Sequence, residues 1–275
     1  MHTTLFRCCS VLVLAALCGA ADPPPRVVEV VSQGHAHNDY EHPRPLFDAL
    51  DHGFRSVEAD IFLVDGRLLV GHAKADLKPE RTLEKLYLDP LRERAVAHRE
   101  PFAANHPAVF FLLIDVKTDA KPTYAALHAV LTRYAEMLTE VNGGNVQPRA
   151  VTVVVSGNCD RETIAKQPRR FAAIDGRPPD LDSDAPNHLI PWISDRWGSH
   201  FKWTGDGPMA DAERQKLREF AAKAGKHKRM VRFWGTPENR TVWQELRDAG
   251  VDLINTDKLA ELQEFLRSPA RKLER

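Results

Sequence analysis

The chain has little usable cysteine. It contains 4 in all, and three of them (Cys8, Cys9 and Cys18) stand near the N-terminus, which leaves Cys159 without a partner for an internal disulfide. A small disulfide-stapled scaffold is therefore excluded, and the fold has to rest on a large core. Neither sign of charge prevails, with Lys plus Arg at 38 and Asp plus Glu at 38. No basic stripe argues for nucleic acid, and the basic tail from Arg267 reads as a solvated end. No apolar run reaches the about 20 residues of a membrane span. There is no internal repeat, low-complexity tract or interdomain linker, and oligomeric state has no code in the sequence.

What is present begins with an apolar run, Ser10 to Leu17, after a weakly basic start and before Gly19-Ala20-Ala21. This predicts a secretory signal over residues 1–21, hence a secreted or periplasmic protein with no transmembrane segment once the signal is removed. A lipoprotein cut before Cys18 is the alternative, disfavoured by the bulk of Leu17. Asp22-Pro-Pro-Pro25 reads as a stiff spacer. Residues 22–275 are then a single domain of about 250 residues, the size of one (β/α)8 barrel.

Eight strand-like runs alternate with helical patterns: Arg26–Gln33, Ser56–Val64, Val109–Val116, Ala150–Val155, Phe171–Ile174, Leu189–Ile193, Met230–Trp234 and Val251–Asn255. Asp65-Gly66 adds a hairpin turn after the second. Helices are expected over Pro43–His52, Thr123–Leu138, Asp160–Lys166, Asp211–Ala224, Glu238–Ala249 and Asp257–Leu266. The expected fold is α/β, a single TIM-type barrel, possibly distorted; a doubly wound open sheet is the runner-up. Polar residues at or after many different strand ends favour the barrel, whose C-terminal rim gathers them. They include His37, Asn38, Glu58, Asp60, Asp115, Lys117, Ser156, Asp175, Ser194, Trp234 and Asp257.

The stretch Gly34 to His72 carries the chemistry. Glu58 and Asp60 are two apart on a strand, so their side chains leave the same face. Two unpaired carboxylates on an inward face cost several kcal/mol, on the order of the penalty for any buried charge, unless a cation sits between them. Glu58, Asp60, Asp115 and Asn38 are oxygen donors suited to one Mg²⁺ or Ca²⁺. Lys117 shares the face of Asp115 and can meet a phosphate oxygen or hold the carboxylate. Two histidines, His37 and His72, can move protons near neutral pH. A divalent cation, an acid and a base are what phosphodiester cleavage requires.

Six motifs in order then match one superfamily: H-N-D-Y (His37 to Tyr40), V-E-A-D (Val57 to Asp60), D-G-R-L-L-V-G-H (Asp65 to His72), D-V-K (Asp115 to Lys117), F-W-G-T-P (Phe233 to Pro237) and I-N-T-D (Ile254 to Asp257). With these the chain resembles the phospholipase C-like phosphodiesterases. That superfamily includes glycerophosphodiester phosphodiesterases, phosphatidylinositol-specific phospholipase C and sphingomyelinase D. The closest resemblance is to the group called altered inheritance of mitochondria proteins. The resemblance implies a distorted TIM barrel with its site at the C-terminal rim. It also implies His37 and His72 as the acid/base pair and Glu58, Asp60 and Asp115 as ligands to one Mg²⁺ or Ca²⁺. The substrate implied is a glycerophosphodiester or phospholipid-type diester. His-Asn-Asp replaces the His-Arg-Gly of glycerophosphodiesterases, and Asp115 stands where they usually carry Glu, which leaves the head group open.

Other readings stand beside this one. His35-Ala36-His37 is also the pattern of amidohydrolase-type metal hydrolases, although no later strand end supplies the further histidines that zinc would need. A binding module that keeps the metal but not the catalysis is the other class. Arg232 is either a substrate phosphate contact or a buried ion-pair partner, and Trp234 is a substrate contact or rim packing. Asp257 is either one of the rim residues or only the cap of the last helix. Trp197, Phe201 and Trp203 are expected to pack, or if exposed to grip a substrate. The insertion Ala73–Pro107 and the loop Ser194–Met209 are expected to shape the pocket.

Overall fold

The computed structural model describes residues 28–98 and 109–269. The expected signal and spacer and most of the basic tail lie outside them. Eight parallel strands form a closed barrel. They are β1 (Gly34–Ala36), β2 (Ser56–Val64), β3 (Phe110–Val116), β4 (Val151–Gly157), β5 (Ala172–Gly176), β6 (Trp192–Arg196), β7 (Met230–Trp234) and β8 (Leu253–Thr256). Neighbours run in chain order, and β1 pairs with both β8 and β2 to close the ring. Arg67–Val70 returns antiparallel on β2 through the Asp65-Gly66 turn. Outside lie α1 (Phe47–Asp51), α2 (Asp89–His98), α3 (Ala120–Thr132), α4 (Arg161–Lys166), α5 (Trp197–His200), α6 (Asp211–Lys226), α7 (Arg240–Asp248) and α8 (Leu259–Arg267). Among the described residues no helix is long and apolar enough to cross a membrane.

The strand pattern explains the layering of the interior. Leu113, Val154, Trp192 and Leu253 form an apolar plug inside the ring, with Phe111 and Met230 packed on it. The side chain two residues further along each strand shares that inward face. Those residues are Asp115, Ser156, Ser194, Asn255 and, after Met230, Arg232. Along these five strands the barrel therefore changes from apolar to polar in one step of about 7 Å, whereas β2 turns Ser56, Glu58 and Asp60 inward. Water is excluded below the step, and charge accumulates above it. The outer faces of the same strands pack on the helices through Leu112, Ile114, Val153 and Val155, all buried.

Four local expectations shift, one of them α3, which ends at Thr132 rather than at Leu138. The first strand is Gly34–Ala36 rather than Arg26–Gln33: Val31 makes only an isolated bridge to Phe54, and the ladder to β8 begins at Gly34. His35 is thus a strand residue inside the barrel. The sixth strand is Trp192–Arg196, because Pro191 lacks an N–H for the ladder; Ser194 is consequently inside the strand and buried. The helix expected over Pro43–His52 starts only at Phe47, since Leu46 is left-handed at φ 67°. Full burial and the bond from its N–H to Asp39 Oδ2 hold Leu46 there.

The β1 seam is short, and Gly34 is its tightest point. A Cβ there would come within 2.8 Å of the Phe54 ring, which is fully buried and cannot yield. Gly34→Ala is expected to destabilise the fold by about 1–3 kcal/mol, the usual cost of overpacking. A urea melt unchanged from wild type would contradict this account of the seam.

Candidate active site

Glu58 and Asp60 leave β2 on the inward side, and the β2–β3 register sets Asp60 beside Asp115. One carboxylate oxygen from each of the three lies within 4.8 Å of the others. Each acid has a cation beside it. Arg232 Nη2 donates to Glu58 Oε2 at 2.5 Å, and its Nε donates to Asn255 Oδ1 at 2.9 Å. Lys117 Nζ lies 3.0 Å from Asp60 Oδ2 and 3.1 Å from Asp115 Oδ1.

These partners split the three acids. Burial raises the Glu58 carboxyl, but Arg232 and His35 outweigh it and hold Glu58 well below the usual range. Asp60 is pushed up to about 6 by burial and by Glu58, against the pull of Lys117 and Tyr40. Asp115 is also raised, by burial first and then by Glu58. Asp60 Oδ1 is buried and has no hydrogen-bond partner. An orphaned oxygen among crowded hard donors, two of them reluctant to ionise, fits a divalent oxygen-loving cation. Gly157, at φ 65°, leaves room for this arrangement: a Cβ there would lie 2.2 Å from Asp115 Oδ1.

Each histidine is held by its Nδ1. His37 Nδ1 is 2.8 Å from Asp257 Oδ1. Burial pulls its pKa down, but the bond to Asp257 and the charge of Glu58 leave it raised. His72 Nδ1 is 3.1 Å from the Tyr40 hydroxyl and 3.6 Å from Asp60 Oδ2. The buried Tyr40 hydroxyl also donates to Asp60 Oδ2 at 2.7 Å and to Asn38 Oδ1 at 2.9 Å. A phenol has one proton. With that proton given to the two acceptors, the oxygen accepts from His72 Nδ1–H, which leaves Nε2 unencumbered. Asn38 sits at φ 44°, a conformation Asn tolerates better than most residues. Below the loop, Asp39 is buried and accepts from Leu46 N–H and from the Tyr87 hydroxyl. Burial pushes its carboxyl up to about 7.

A cavity of about 370 Å³ opens at this rim. His37, Asn38, Glu58, His72, Asp115, Lys117, Arg232 and Trp234 all line it, with Asp60 buried at its base. The sequence-predicted set is thus brought together. Arg232 is the buried ion-pair partner of Glu58, and its side chain also reaches the cavity wall. Trp234 is half exposed, with the Arg196 guanidinium 6.0 Å from its ring. Trp197 and Phe201 are buried against Phe233 and serve packing. Among the described residues, neither the insertion after Ala73 nor the loop Ser194–Met209 contributes to the cavity wall. The insertion instead braces the His-Asn-Asp-Tyr loop from outside, through Tyr87 and through the bond from Arg81 to the Tyr40 carbonyl.

His35 does not join His37. Its Nδ1 is 2.7 Å from Ser56 Oγ and its Nε2 is 3.4 Å from Glu58 Oε2, inside the barrel. Burial, then Arg232, lowers it to about 3, so it is a neutral strut under Glu58. Sequence reasoning missed three residues. Tyr40 was visible only as the last letter of a motif. Asp257 carries two sequence readings, rim residue or cap, and neither foretells its hold on His37. Arg177, with Ser156 and Gly157, completes the cavity wall and carries no sequence signal.

A family model described as AIM6-like phosphodiesterase domain matches residues 26–174, and one described as glycerophosphoryl diester phosphodiesterase family matches residues 230–260. Altered inheritance of mitochondria protein 6 of Eremothecium gossypii is 30% identical over 275 residues, covering 87% of this chain and 71% of the relative. The homolog of that protein in Arthroderma benhamiae is 30% identical over 257 residues, covering 81% of this chain and 80% of the relative. Solved structures of glycerophosphodiester phosphodiesterases share the fold. The one from Parabacteroides distasonis has a TM-score of 0.53 at 16% identity, covering 87% of this chain and 98% of that one. The one from Agrobacterium tumefaciens has a TM-score of 0.50 at 14% identity, covering 86% of this chain and all of that one (100%). The closed barrel, the acid cluster at its rim and these likenesses agree, and the chain belongs to the AIM6-like phosphodiesterase family.

Proposed function

We propose that the chain is a metal-dependent phosphoric diester hydrolase acting on a glycerophosphodiester or phospholipid-type substrate. One observation carries the reading: three crowded carboxylates and two histidines, each histidine anchored through Nδ1, line or underlie a single cavity. Glu58, Asp60 and Asp115, with Asn38, would hold one Mg²⁺ or Ca²⁺. Such a cation neutralises the phosphate and polarises its phosphoryl oxygen.

The proton work belongs to the side chains. Asp257 fixes His37 with Nδ1–H toward the carboxylate and Nε2 toward the cavity, as a carboxylate orients a catalytic base. His37 takes the proton of the nucleophile, a water or a neighbouring hydroxyl of the substrate. His72, oriented by Tyr40 and doubly protonated at the start of the cycle, gives the Nε2 proton to the leaving oxygen. After attack by water both histidines reset by exchange with solvent. After attack by a substrate hydroxyl, the water that opens the cyclic phosphate gives its proton to His72 while His37 returns its own. Attack by a substrate hydroxyl would release a cyclic phosphate first. Lys117 meets a non-bridging phosphate oxygen, Arg232 keeps Glu58 ionised from behind, and Trp234 packs on the substrate at the rim. The apolar N-terminal run supports export, so that this chemistry takes place in the periplasm or outside the cell.

Stripping the protein with chelator is expected to abolish hydrolysis of a chromogenic phosphodiester, and Mg²⁺ or Ca²⁺ to restore it. His37→Ala and His72→Ala are each expected to lower kcat by on the order of 10²–10⁴-fold while keeping the rise in Tm on metal addition. Full turnover in either variant would remove that histidine from the mechanism. No turnover in wild type beside a metal-dependent Tm would favour a binding module.

Asp60 gives a prediction of opposite sign for stability. Its carboxyl titrates at about 6 in the fold against an ordinary 3.8. The stability this contributes is full below the ordinary value and is lost as pH rises through 6. In chelator at pH 7.5, Asp60→Asn is expected to have a higher Tm than wild type, the gap closing toward pH 4. Added Mg²⁺ is expected to raise wild type only. A variant less stable than wild type at pH 7.5 would show that the Lys117 pairing outweighs the crowding.

Asp257→Asn and Tyr40→Phe are expected to lower kcat more than they change KM, because each removes orientation of a histidine and no substrate contact. Steady-state kinetics on the same diester check this. A rise in KM alone would place Asp257 or Tyr40 against the substrate.

A further inference from the structure

Arg177 is unused by the mechanism above, yet it lines the same cavity. It follows β5 directly, and β5 stands four places from β1 around the eight-stranded ring. Arg177 and His37 therefore face each other across the barrel mouth. A phosphodiester held at the carboxylates and histidines has two substituents, and the Arg177 wall lies in the same cavity to receive one of them.

That wall is rigid. Arg177 Nη1 donates to Asp175 Oδ2 at 2.7 Å and to the carbonyls of Asp175 and Gly176 at 3.2 and 3.0 Å. Its Nη2 donates to Ser156 Oγ at 3.0 Å, and the Ser156 hydroxyl donates onward to Asp175 Oδ2 at 2.8 Å. Asp175 and Ser156 are buried. A guanidinium has five N–H donors. Three are committed, so Nε–H and one Nη2 hydrogen remain in fixed positions. The charge of Arg177 is meanwhile balanced by Asp175, so the pair presents donors without net charge. Among the described residues the lining side chains are polar or charged apart from Trp234. On this wall oxygen-rich groups would find donors already in place.

We propose that Arg177, preset by Asp175 and Ser156, is the specificity subsite for an uncharged, hydroxylated substituent of the phosphodiester. The subsite rests on the hydrolase reading for its place in the reaction, but it can be tested by binding alone.

The test compares glycerol 3-phosphate with methyl phosphate by titration calorimetry of the full chain in Mg²⁺. The two ligands share the phosphate and differ in hydroxyls. Wild type is expected to prefer glycerol 3-phosphate by about tenfold, the worth of one hydrogen bond to a charged donor. Arg177→Gln alone would leave Asp175 buried without its cation. The Arg177→Gln/Asp175→Asn double variant, which removes both charges, is the cleaner probe. Arg177→Lys keeps the charge and loses the fork. In both, the preference is expected to fall toward one. Equal affinities in wild type, binding of neither ligand, or a preference that survives both variants would overturn the subsite. Turnover of the chromogenic diester is read separately. Its absence beside an intact preference removes the hydrolase reading and leaves the subsite standing, while turnover without a preference removes the subsite alone.

Discussion

Repulsion among Glu58, Asp60 and Asp115 is the constraint on which the site depends. Two like charges about 4 Å apart cost roughly 4 kcal/mol at an effective dielectric of 20, and here three lie together at the top of an apolar plug. The fold answers with placed cations. Arg232 crosses the barrel interior to Glu58, and Lys117 sits between Asp60 and Asp115. The compensation is uneven, since Arg232 and His35 hold Glu58 well below the usual carboxylate range while burial and the charge of Glu58 raise Asp60 and Asp115. The mouth therefore retains an unmet demand for positive charge, focused on the orphaned Asp60 oxygen. Removing that demand would make the site more comfortable and less useful.

The closed ring turns this local conflict into a directional site. Because inward side chains alternate with outward ones, β3, β4, β6, β7 and β8 each deliver an apolar residue to the plug and a polar one to the mouth. Glu58 and Asp115 come from adjacent strands, Arg232 from across the ring, and Asn255 and His37 from the closing seam. A second tier then fixes the first. Tyr40 ties Asp60 to His72, Asp257 aims His37, and Asn255 steadies Arg232. The groups proposed to move protons are held through Nδ1 in a wall already set by buried hydrogen bonds. Such preorganisation reduces the reorganisation left to the reaction itself.

Much of this was legible in the chain. Period-two alternation placed Glu58 with Asp60 and Asp115 with Lys117 on common faces, and the continuous apolar runs announced buried parallel strands. Both are local properties of a strand and need no partner to be read. The errors were also physical. Arg26–Gln33 has strand propensity, but the ladder to β8 forms at Gly34–Ala36, where the backbone of residues 254–256 is in register. Leu189–Ile193 looked like a strand although Pro191 interrupts its donors. Asp257 could not be told from a mere cap because its partner, His37, lies 220 residues away in sequence.

The sequence alone determined the alternating α/β architecture, the carboxylate pair on one face and the presence of two histidines suited to proton transfer. These follow from strand geometry and from the chemistry of the residue types. Only the tertiary structure decided which cation serves which acid, which nitrogen of each histidine is free, that His35 is a strut rather than a ligand, and that Arg177 faces His37 across the mouth. Those facts depend on ring closure, which sets residues far apart in the chain within a few ångströms of each other, and no local pattern encodes that distance.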